Sequence, residues 1–391
     1  MYKNFKFESI VSNNDKSRVG KIHTPHGIIK TPAFIFCGTK ASVKSISPKQ
    51  LEETETSIIL SNTYHLFSYP GSEHIKSCGG LHKFMGWNGP MFTDSGGFQI
   101  FSLGHGSVAD EIKGKRSRAS TLSIITEEGA IFKSYWDGST QILTPEKSIQ
   151  IQTDLGADLI VSFDECTPFH SNKKYTEESM ERSHRWEKRS LDEFIRLYNE
   201  QQALYGIVQG GVHEDLRKRS AEFVSAHPFF ATAIGGTLGS TKNQMYEVVE
   251  MAMNGLDTSR PIHLLGIGGI SDIFKGVSLG IDTFDCVHPT RIARHGGALV
   301  KAQYRDHPLR EHINLRRSQY VRDDNPIETD CDCETCKRFS RAYLHYLLKA
   351  KELLVIQAIA VHNIRFMNRM MQEIRSAVID EQLDKAKEKW C

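Results

Sequence analysis

Acidic and amide side chains recur at the ends of short apolar runs in this 391-residue chain. The most distinctive case is segment 92–99, Phe-Thr-Asp-Ser-Gly-Gly-Phe-Gln, in which an apolar lead-in meets Asp94 and is followed by two glycines and Phe98. Glycines let the backbone approach a bound group closely. Taken alone, the segment is equally typical of a turn or helix cap in which Asp94 and Ser95 bind local amides. The same pattern recurs along the chain, and this recurrence makes Asp94 a candidate for a functional site.

Eight short apolar runs punctuate the chain. They span residues 32–36, 58–60, 91–92, 159–161, 205–208, 230–234, 262–265 and 283–284. Stretches with helical character separate most of them, at residues 47–53, 145–155, 176–199, 216–226 and 243–254. Alternating strands and helices predict a parallel sheet, and eight units predict a closed α/β barrel of the (β/α)₈, TIM-type class. A doubly wound open sheet is the alternative architecture.

The polar residues after these runs are the first candidates for a functional site. They are Asp94, Asp164, Gln209 and Asp285. In a (β/α)₈ barrel the active site lies at the carboxyl ends of the strands, so this fold would bring the four side chains to one face. Residues 1–31 alternate apolar and polar side chains around turn signals, which predicts N-terminal antiparallel hairpins.

Composition and charge limit the function classes. Apolar residues make up 39% and charged residues 25% of the chain, typical of a globular protein with enough apolar side chains for a core. No apolar run approaches the roughly 20 residues needed to cross a bilayer, and the N-terminal residues lack the apolar core of a secretory signal. We therefore expect a cytoplasmic protein without a membrane segment. The 49 basic and 47 acidic residues nearly balance, so a polyanionic partner would need a local basic patch.

Two segments interrupt the alternation of strands and helices. Segment 107–123 is a polar insertion with four basic residues, and a run of this kind is usually a solvated loop. Segment 288–322 follows the last apolar run and carries eight Lys or Arg residues against two acids. On a nearly neutral protein, this second segment predicts a surface for a polyanion.

Three cysteines, Cys331, Cys333 and Cys336, lie within six residues as Cys-x-Cys-x-x-Cys. A tight turn with this spacing can direct three thiolates at one ion, and a closed tetrahedral zinc site needs one further ligand. His345 and His362 are the nearest histidines downstream. Four ligands without an open position predict one structural Zn²⁺ per subunit. The alternative is a group of buried thiols that hold no metal.

Taken together, the motifs resemble those of the tRNA-guanine transglycosylases. The matching segments are Asn-Thr-Tyr-His at 62–65, Asp-Ser-Gly-Gly-Phe-Gln at 94–99, Phe-Asp-Glu-Cys-Thr-Pro at 163–168, Gly-Ile-Val-Gln-Gly-Gly at 206–211 and Gly-Ile-Asp-Thr-Phe-Asp-Cys-Val-His-Pro-Thr-Arg at 280–291. The three cysteines and His362 match the zinc ligands of that family, so the resemblance selects His362 over His345. It covers nearly the whole chain.

The resemblance implies one catalytic barrel over residues 1–391. Within it, a zinc-binding subdomain at 306–365 would be inserted after the eighth strand, and a C-terminal helix and tail would occupy 366–391. It also implies a homodimer, as in bacterial members.

The implied activity is queuosine modification of tRNA. Guanine at the anticodon wobble position is exchanged for queuine or for its 7-aminomethyl-7-deazaguanine precursor. Exchange with retained configuration needs two displacements at the anomeric carbon, and a carboxylate is a suitable nucleophile for them. By resemblance, Asp285 is that nucleophile and Asp94 is the general acid/base.

The resemblance also assigns binding roles. Phe98 would stack on the base, and Asp164, Gln209 and Gly236 would bind its edge. Thr237 and Gly239 belong to the loop that selects the incoming base. The residues expected to contact tRNA phosphates are Arg291, Arg294 and Arg317.

That loop departs from the usual bacterial pattern. Most bacterial members carry Gly-Gly-Leu-Ala-Val-Gly-Glu, in which the leucine carbonyl and the glutamate receive the ammonium arm of the precursor. This chain reads Gly-Gly-Thr-Leu-Gly-Ser-Thr at 235–241, and the next acid is Glu247. Without the carboxylate, the charge-assisted bond to a cationic arm is lost, and Gly239 in place of valine would leave space beside the base. We therefore predict a preference for queuine; the alternative is that another acid substitutes.

Two other functions fit parts of the pattern. A retaining glycoside hydrolase of the barrel class also uses two carboxylates, but it gives no role to the cysteine loop or to the basic segment. A non-enzymatic tRNA-binding protein would not need carboxylates clustered at strand ends, since they repel phosphate.

Overall fold

A computed structural model of the chain describes residues 1–100 and 123–391. The predicted basic insertion lies outside the described residues except for its last position, and its four basic side chains are Lys113, Lys115, Arg116 and Arg118.

The strands of the described residues belong to four sheets. In chain order they are β1 (Lys6–Ser12), β2 (Arg18–Thr24), β3 (Gly27–Thr31), β4 (Ala33–Cys37), β5 (Ile59–Ser61), β6 (Met91–Thr93), β7 (Ser123–Ile125), β8 (Ala130–Lys133), β9 (Thr140–Leu143), β10 (Leu159–Val161), β11 (Ala203–Val208), β12 (Ala231–Ile234), β13 (Ile262–Leu264), β14 (Thr283–Cys286), β15 (Gly297–Leu299) and β16 (His312–Asn314). Eight parallel strands, β4, β5, β6 and β10 to β14, close into a barrel. The predicted eight-unit barrel is therefore confirmed, and the open sheet is excluded.

The remaining strands form small antiparallel sheets. Strands β1 to β3 pair at the N-terminus, as the hairpin signals predicted. Strands β7 to β9 form a second sheet and β15 and β16 a third. The sequence analysis contained neither of these, because strands of three or four residues are too short to show a clear alternation of apolar and polar residues.

Helices cover the outside of the barrel. They are Pro48–Glu53, Thr63–Ser68, Ser72–Ser77, Gly80–Met85, Pro145–Leu155, Lys173–Leu197, Glu214–Ala226, Lys242–Met253, Ile270–Ser278, His288–Ala293, Glu334–Arg338, Arg341–Ala350, Leu354–Ile379 and Leu383–Trp390, with 3₁₀ turns at Ala302–Tyr304 and Ser318–Tyr320. Within the described residues, none of these helices is long and apolar enough to cross a membrane.

The barrel strands place alternate side chains in two apolar cores. In β4, Ile35 packs inside the barrel, whereas Phe34 and Phe36 pack between the strands and the surrounding helices. This follows from the period of two in a strand. Because strands buried on both faces are apolar throughout, they appear in the sequence as short continuous apolar runs.

Two buried carboxylates close the amino-terminal end of the barrel. Asp282 accepts hydrogen bonds from the backbone N–H of Ile262 and from the Arg18 guanidinium of β2. Asp158 accepts from the N–H of Met91 (2.8 Å) and lies 2.7 Å from Nδ1 of His26. The N-terminal sheet is thereby fixed to this end, opposite the predicted site.

The helix Leu354–Ile379 connects the barrel to the cysteine segment. It is buried along most of its length and packs against β2, β4 and β15. Its residue Asn363 receives the N–H of Leu299 at 2.8 Å and donates to the Pro289 carbonyl. The predicted boundary between residues 365 and 366 lies inside this helix, and the subdomain division stays a prediction.

Candidate active site

Asp285 lies on β14, at the carboxyl end of the barrel. Its Oδ1 accepts from the backbone N–H of Gly266 (2.8 Å) and lies 3.2 Å from Nε2 of the fully buried His263. The Cys37 thiol, at the end of β4, donates to Oδ2 at 3.7 Å. Two donors thus fix one carboxylate oxygen, while the side chain keeps 13% of its surface exposed to the barrel mouth.

Asp94 follows β6 directly and is held by the start of the helix Thr63–Ser68, which follows the neighbouring strand β5. Oδ1 accepts from the N–H of Thr63 at 2.9 Å, and Oδ2 accepts from the Asn62 side chain and from Gln99 Nε2 (3.1 Å). Asn62 also caps the helix Thr63–Ser68 by accepting from the N–H of His65. The motif at 62–65 therefore serves to position this carboxyl.

Burial, together with the nearby charge of Asp285, raises the pKa of Asp94 to about 7. Hydrogen bonds from Thr63 and Gln99 act in the opposite direction. A carboxyl that titrates near neutrality can both donate and accept a proton, which a general acid/base requires.

We expect the pH dependence of turnover to report Asp94. In its predicted role as general acid, Asp94 can donate only in its protonated form, so kcat/KM should fall as pH rises through about 7. An Asp94→Asn variant should be slowed severely and should lose this limb. Steady-state rates between pH 5.5 and 9 measure this fall in kcat/KM. If the fall persists in the variant, the titration belongs to another group.

Asp164 and Gln209 form the predicted base-binding pair. Gln209 Nε2 donates to Asp164 Oδ2 at 2.6 Å, and Ser95 Oγ donates to Oδ1 at 3.2 Å. Both side chains are buried, and burial raises the pKa of Asp164 to about 6. Gln209 Oε1 is buried without a hydrogen-bond partner. This oxygen is therefore available to accept a hydrogen bond from a bound group.

Gly236 approaches this pair so closely that only glycine fits. A Cβ there would lie 2.3 Å from Gln209 Oε1, and its φ of +74° lies in the left-handed region. The Gly236 backbone and the Gln209 amide are therefore in direct contact. The structure thus brings Asp94, Asp164 and Gln209 to the same end of the barrel as Asp285.

The loop after β12 is fixed by Arg217. This buried guanidinium donates to the carbonyls of Gly235 (2.8 Å) and Thr237 (3.0 Å) from one side and to Gly211 from the other. The Thr237 carbonyl, at the position of the family's leucine, therefore already accepts from a cation. A Cβ atom added to Gly239 would lie 2.6 Å from Gln244 Cγ. The space that glycine was expected to leave is thus occupied by a flexible side chain.

Phe98 lies in the same segment and is 45% exposed. It follows Gly97, where a Cβ would lie 2.6 Å from the Asp164 carbonyl. An exposed aromatic ring next to the Asp164 pocket fits the predicted stacking role.

The sequence analysis missed two site residues, His263 and Arg217. His263 lies within an apolar run and pairs in register with Thr283, one strand from Asp285. A histidine inside a buried strand was the available signal. Arg217 lies in a predicted helix, where nothing in the sequence separates it from the other basic residues of that helix, Arg219 and Lys218.

The cysteine cluster forms a second, separate site. The sulfurs of Cys331, Cys333 and Cys336 lie 3.6, 3.7 and 3.3 Å from Nδ1 of His362, and all four residues are buried. Ligands at tetrahedral Zn–S and Zn–N distances lie about 3.6 Å apart, so the four atoms fit one ion. Nε2 of His362 donates to the Leu299 carbonyl at 2.7 Å, which leaves Nδ1 as the ligand.

His345 is excluded from this cluster. Its Nδ1 donates to the Leu315 carbonyl at 2.8 Å, and the ring is buried there. His362 and not His345 therefore lies in the cluster, and the group can hold a metal ion. A second group, His26, His82 and Asp158, has its ligand atoms within 4.8 Å of one another. Its two imidazole rings stack at 3.6 Å, so their in-plane lone pairs do not converge on one ion.

The basic segment 288–322 is only partly available to a partner. Lys301 is buried and pairs with Asp330, and Arg305 donates to the carbonyls at residues 390 and 391. Arg291 is exposed and Arg294 partly so. Arg317 keeps 40% of its side chain exposed while lying 3.7 Å from Asp306. The count of eight basic residues therefore overstates the free positive charge.

A closed (β/α)₈ barrel with two carboxylates at the carboxyl ends of its strands defines a class of enzymes that act through carboxylate chemistry. The family model described as queuine tRNA-ribosyltransferase matches residues 14–391. The chain therefore belongs to the queuine tRNA-ribosyltransferase family.

Individual relatives are similar over the same extent. The queuine tRNA-ribosyltransferase of Roseiflexus sp. (strain RS-1) is 46% identical over 390 residues, covering 96% of both chains. That of Protochlamydia amoebophila is 44% identical over 380 residues, again covering 96% of both. The Staphylococcus aureus protein of the same name is 43% identical, covering 96% of this chain and 92% of its own.

Proposed function

We propose that this protein is a tRNA-guanine transglycosylase, a pentosyltransferase that exchanges the guanine at the wobble position of tRNA in queuosine formation. The observation that carries the proposal is the pair of differently held carboxylates. Asp94 is partly buried and has a raised pKa, and Asp285 is fixed by two donors at the open mouth. The family match favours this chemistry over a glycoside hydrolase or a non-catalytic RNA-binding protein.

The geometry supports a double displacement. In the first step, Asp285 bonds to the anomeric carbon as the bond from that carbon to guanine breaks, and Asp94 donates the proton that the leaving base needs. In the second step, the incoming base attacks the ribosyl ester. Asp94 then accepts its proton, and the Asp285 carboxylate is released. Two inversions retain the configuration.

Residues of the barrel mouth would hold the base during both steps. Asp164 and the free Gln209 Oε1 would accept from the N–H groups of the purine edge, while Phe98 would stack on its face. A base must leave the anticodon stack to reach them, as enzymes that act on bases generally require.

Exchange of labelled guanine tests this function. Tritiated guanine incubated with the protein and a tRNA that has guanine at the wobble position should enter the RNA while unlabelled guanine is released in equal amount. Release of guanine without incorporation would identify a hydrolase instead. The same tRNA with adenine at that position is the matched negative control.

We propose that the Cys331, Cys333, Cys336 and His362 group holds one zinc ion in a structural role. Three thiolates and one imidazole are the ligands that Zn²⁺ prefers, and four ligands leave no open position for chemistry. Asp332, between two of the ligands, pairs with Arg365 at 2.8 and 2.6 Å. Because His362 and Arg365 both lie on the helix Leu354–Ile379, the ion and this ion pair would together fix the cysteine loop to that helix.

We also propose a homodimer and a cytoplasmic location, the latter because tRNA is modified in the cytoplasm. Tyr343 and Tyr346 are 40% and 62% exposed and lie three residues apart on the helix Arg341–Ala350. Phe339 packs against Tyr343 with ring centroids 5.4 Å apart. Exposed aromatic rings on one helix face are typical of a protein interface.

We propose queuine as the preferred incoming base. Residues 235–246 carry no acid, and Glu247 is exposed. The Thr237 carbonyl, which would receive a cationic arm, accepts from Arg217 instead. Queuine carries a neutral cyclopentenediol, which requires neither an acid nor a free carbonyl at this place. Gln244 would have to move from its position beside Gly239 to make room for it.

The expected result is a kcat/KM for queuine about tenfold above that for the aminomethyl precursor, since a charge-assisted hydrogen bond is missing for the latter. A Thr241→Glu variant, which restores an acid at the family's usual position, should narrow the difference. Parallel exchange kinetics with both bases measure it. A higher efficiency for the aminomethyl base in the unaltered protein would contradict the preference.

Charge reversal in the basic segment should weaken tRNA binding. For Arg294→Glu and Arg317→Glu we expect a Kd for tRNA at least about fivefold higher, with a shallower dependence on salt, because each arginine would contact a phosphate. Lys188→Glu, on the outer helix Lys173–Leu197, is the matched control. Unchanged salt slopes for both arginine variants would move the RNA interface elsewhere, with insertion 107–123 the next segment to test.

A further inference from the structure

Two exposed aromatic rings stack on each other near the barrel mouth. Tyr69 ends the helix Thr63–Ser68, and Trp136 lies in the turn between β8 and β9. Their ring centroids are 4.1 Å apart, with 16° between the planes. More than half of each side chain remains exposed, 55% for Tyr69 and 56% for Trp136. Tyrosine and tryptophan rings are enriched at interfaces, so two of them stacked in the open favour a surface with a partner.

Two lysines lie against residues that flank the pair in sequence. Next to Trp136, Tyr135 hydrogen-bonds Nδ1 of His65 at 3.0 Å and lies 5.0 Å below the ammonium of Lys40. The Lys147 ammonium lies 5.0 Å from the Phe67 ring on the same short helix as His65. Lys40 and Lys147 are both exposed.

An acid, Asp137, directly follows Trp136. Asp137 is exposed, and its Oδ1 accepts from the N–H and the hydroxyl of Ser139 within its own turn. The turn thus offers an indole ring and, one residue later, a carboxylate whose Oδ1 already has two donors.

The helix Thr63–Ser68 links this surface to the reacting groups. Its first turn holds Asp94 through Asn62 and Thr63, and its last residue precedes Tyr69. Six residues at 1.5 Å each span about 9 Å. Tyr69 therefore lies about the length of this helix from the general acid, within reach of a nucleotide next to the one that reacts.

We propose that Tyr69 and Trp136 form a platform on which one unpaired base of the anticodon loop stacks, beside the exchanged nucleotide. This rests on the proposed function. Single-stranded RNA is bound by aromatic rings that stack on bases and by cations that meet phosphates, and both are present here. A second copy of the chain fits less well, because a two-fold interface would bring the same lysines against one another.

Tryptophan fluorescence reports the platform directly. Of the four tryptophans, which all lie in the described residues, Trp87, Trp186 and Trp390 are at most 2% exposed. Addition of an anticodon stem-loop RNA should therefore quench Trp136 alone. A Trp136→Phe variant should lose the quenching while it keeps its affinity, since phenylalanine also stacks. The absence of RNA-dependent quenching in the unaltered protein would overturn the proposal.

Affinity gives the second readout. Trp136→Ala and Tyr69→Ala should each raise the Kd for the stem-loop about tenfold without changing the salt slope, whereas Lys40→Ala should reduce that slope. Ile195→Ala, which removes another exposed apolar side chain from an outer helix, is the control. Kd values within twofold of the unaltered protein for both ring variants would overturn the platform. A change in the sedimenting mass of these variants with unchanged RNA affinity would identify a contact between copies of the chain and would also overturn it. Guanine exchange by the unaltered protein separates these outcomes from failure of the proposed function.

Discussion

An Asp285→Asn variant should fold and bind tRNA but exchange guanine about 10⁴-fold more slowly or not at all. The amide keeps an oxygen that accepts from the Gly266 N–H, so the local structure should persist. It cannot form a ribosyl ester, because a neutral amide is a poor nucleophile toward the anomeric carbon. Initial rates of labelled guanine incorporation measure the loss.

Two further measurements make this result specific. Thermal unfolding and the Kd for tRNA should stay close to those of the unaltered protein. Asp192→Asn, an equivalent change at an exposed position on the helix Lys173–Leu197, should leave exchange unaltered. Exchange by Asp285→Asn within tenfold of the unaltered rate would show that another group attacks the ribose.

The second large effect should come from Cys333→Ser. Loss of one thiolate should release the metal and lower the free energy of unfolding by about 3 kcal/mol or more, because ligand binding energy is folding energy in such sites. Cys333 also caps the helix Glu334–Arg338, since its sulfur accepts from the N–H of Cys336. The cysteine loop and the long helix that carries His362 would therefore loosen together.

Metal content and stability decide this prediction together. Atomic absorption should find about one zinc per chain in the unaltered protein and clearly less in Cys333→Ser, with a lower Tm. Cys78→Ser, which changes a cysteine far from the cluster in sequence, should keep both values. A Cys333→Ser protein that retained its full zinc content would show that the ligand set is wrong.

Much of the fold was predictable because each barrel strand is a short apolar run with a polar end. Asp94, Asp164, Gln209 and Asp285 could be placed at one face from their positions alone, since a closed parallel barrel aligns the carboxyl ends of all its strands. The metal ligands were predictable for a similar reason, as three of the four lie within one turn of the chain.

What the sequence did not reveal depends on contacts between distant segments. Arg217 ties the loops after β11 and β12 together through carbonyl oxygens, and no sequence pattern marks a backbone acceptor. Gln244 fills the space beside Gly239, which the glycine alone had suggested was open. The sequence suggested that Lys301 and Arg305 carry free positive charge. In the structure, Lys301 pairs with Asp330 and Arg305 donates to the carbonyl of residue 390. The stacked pair Tyr69 and Trp136 joins residues 67 positions apart.

The covalent intermediate is the central claim, and its site of attachment tests that claim most directly. The unaltered protein, incubated with a wobble-guanine stem-loop RNA and without an added acceptor base, should yield an RNA-linked species on a denaturing gel. After digestion with nuclease and protease, mass spectrometry should find the ribosyl remnant on the peptide that contains Asp285. An adduct on the Asp94 peptide, or guanine exchange without any adduct, would contradict the mechanism.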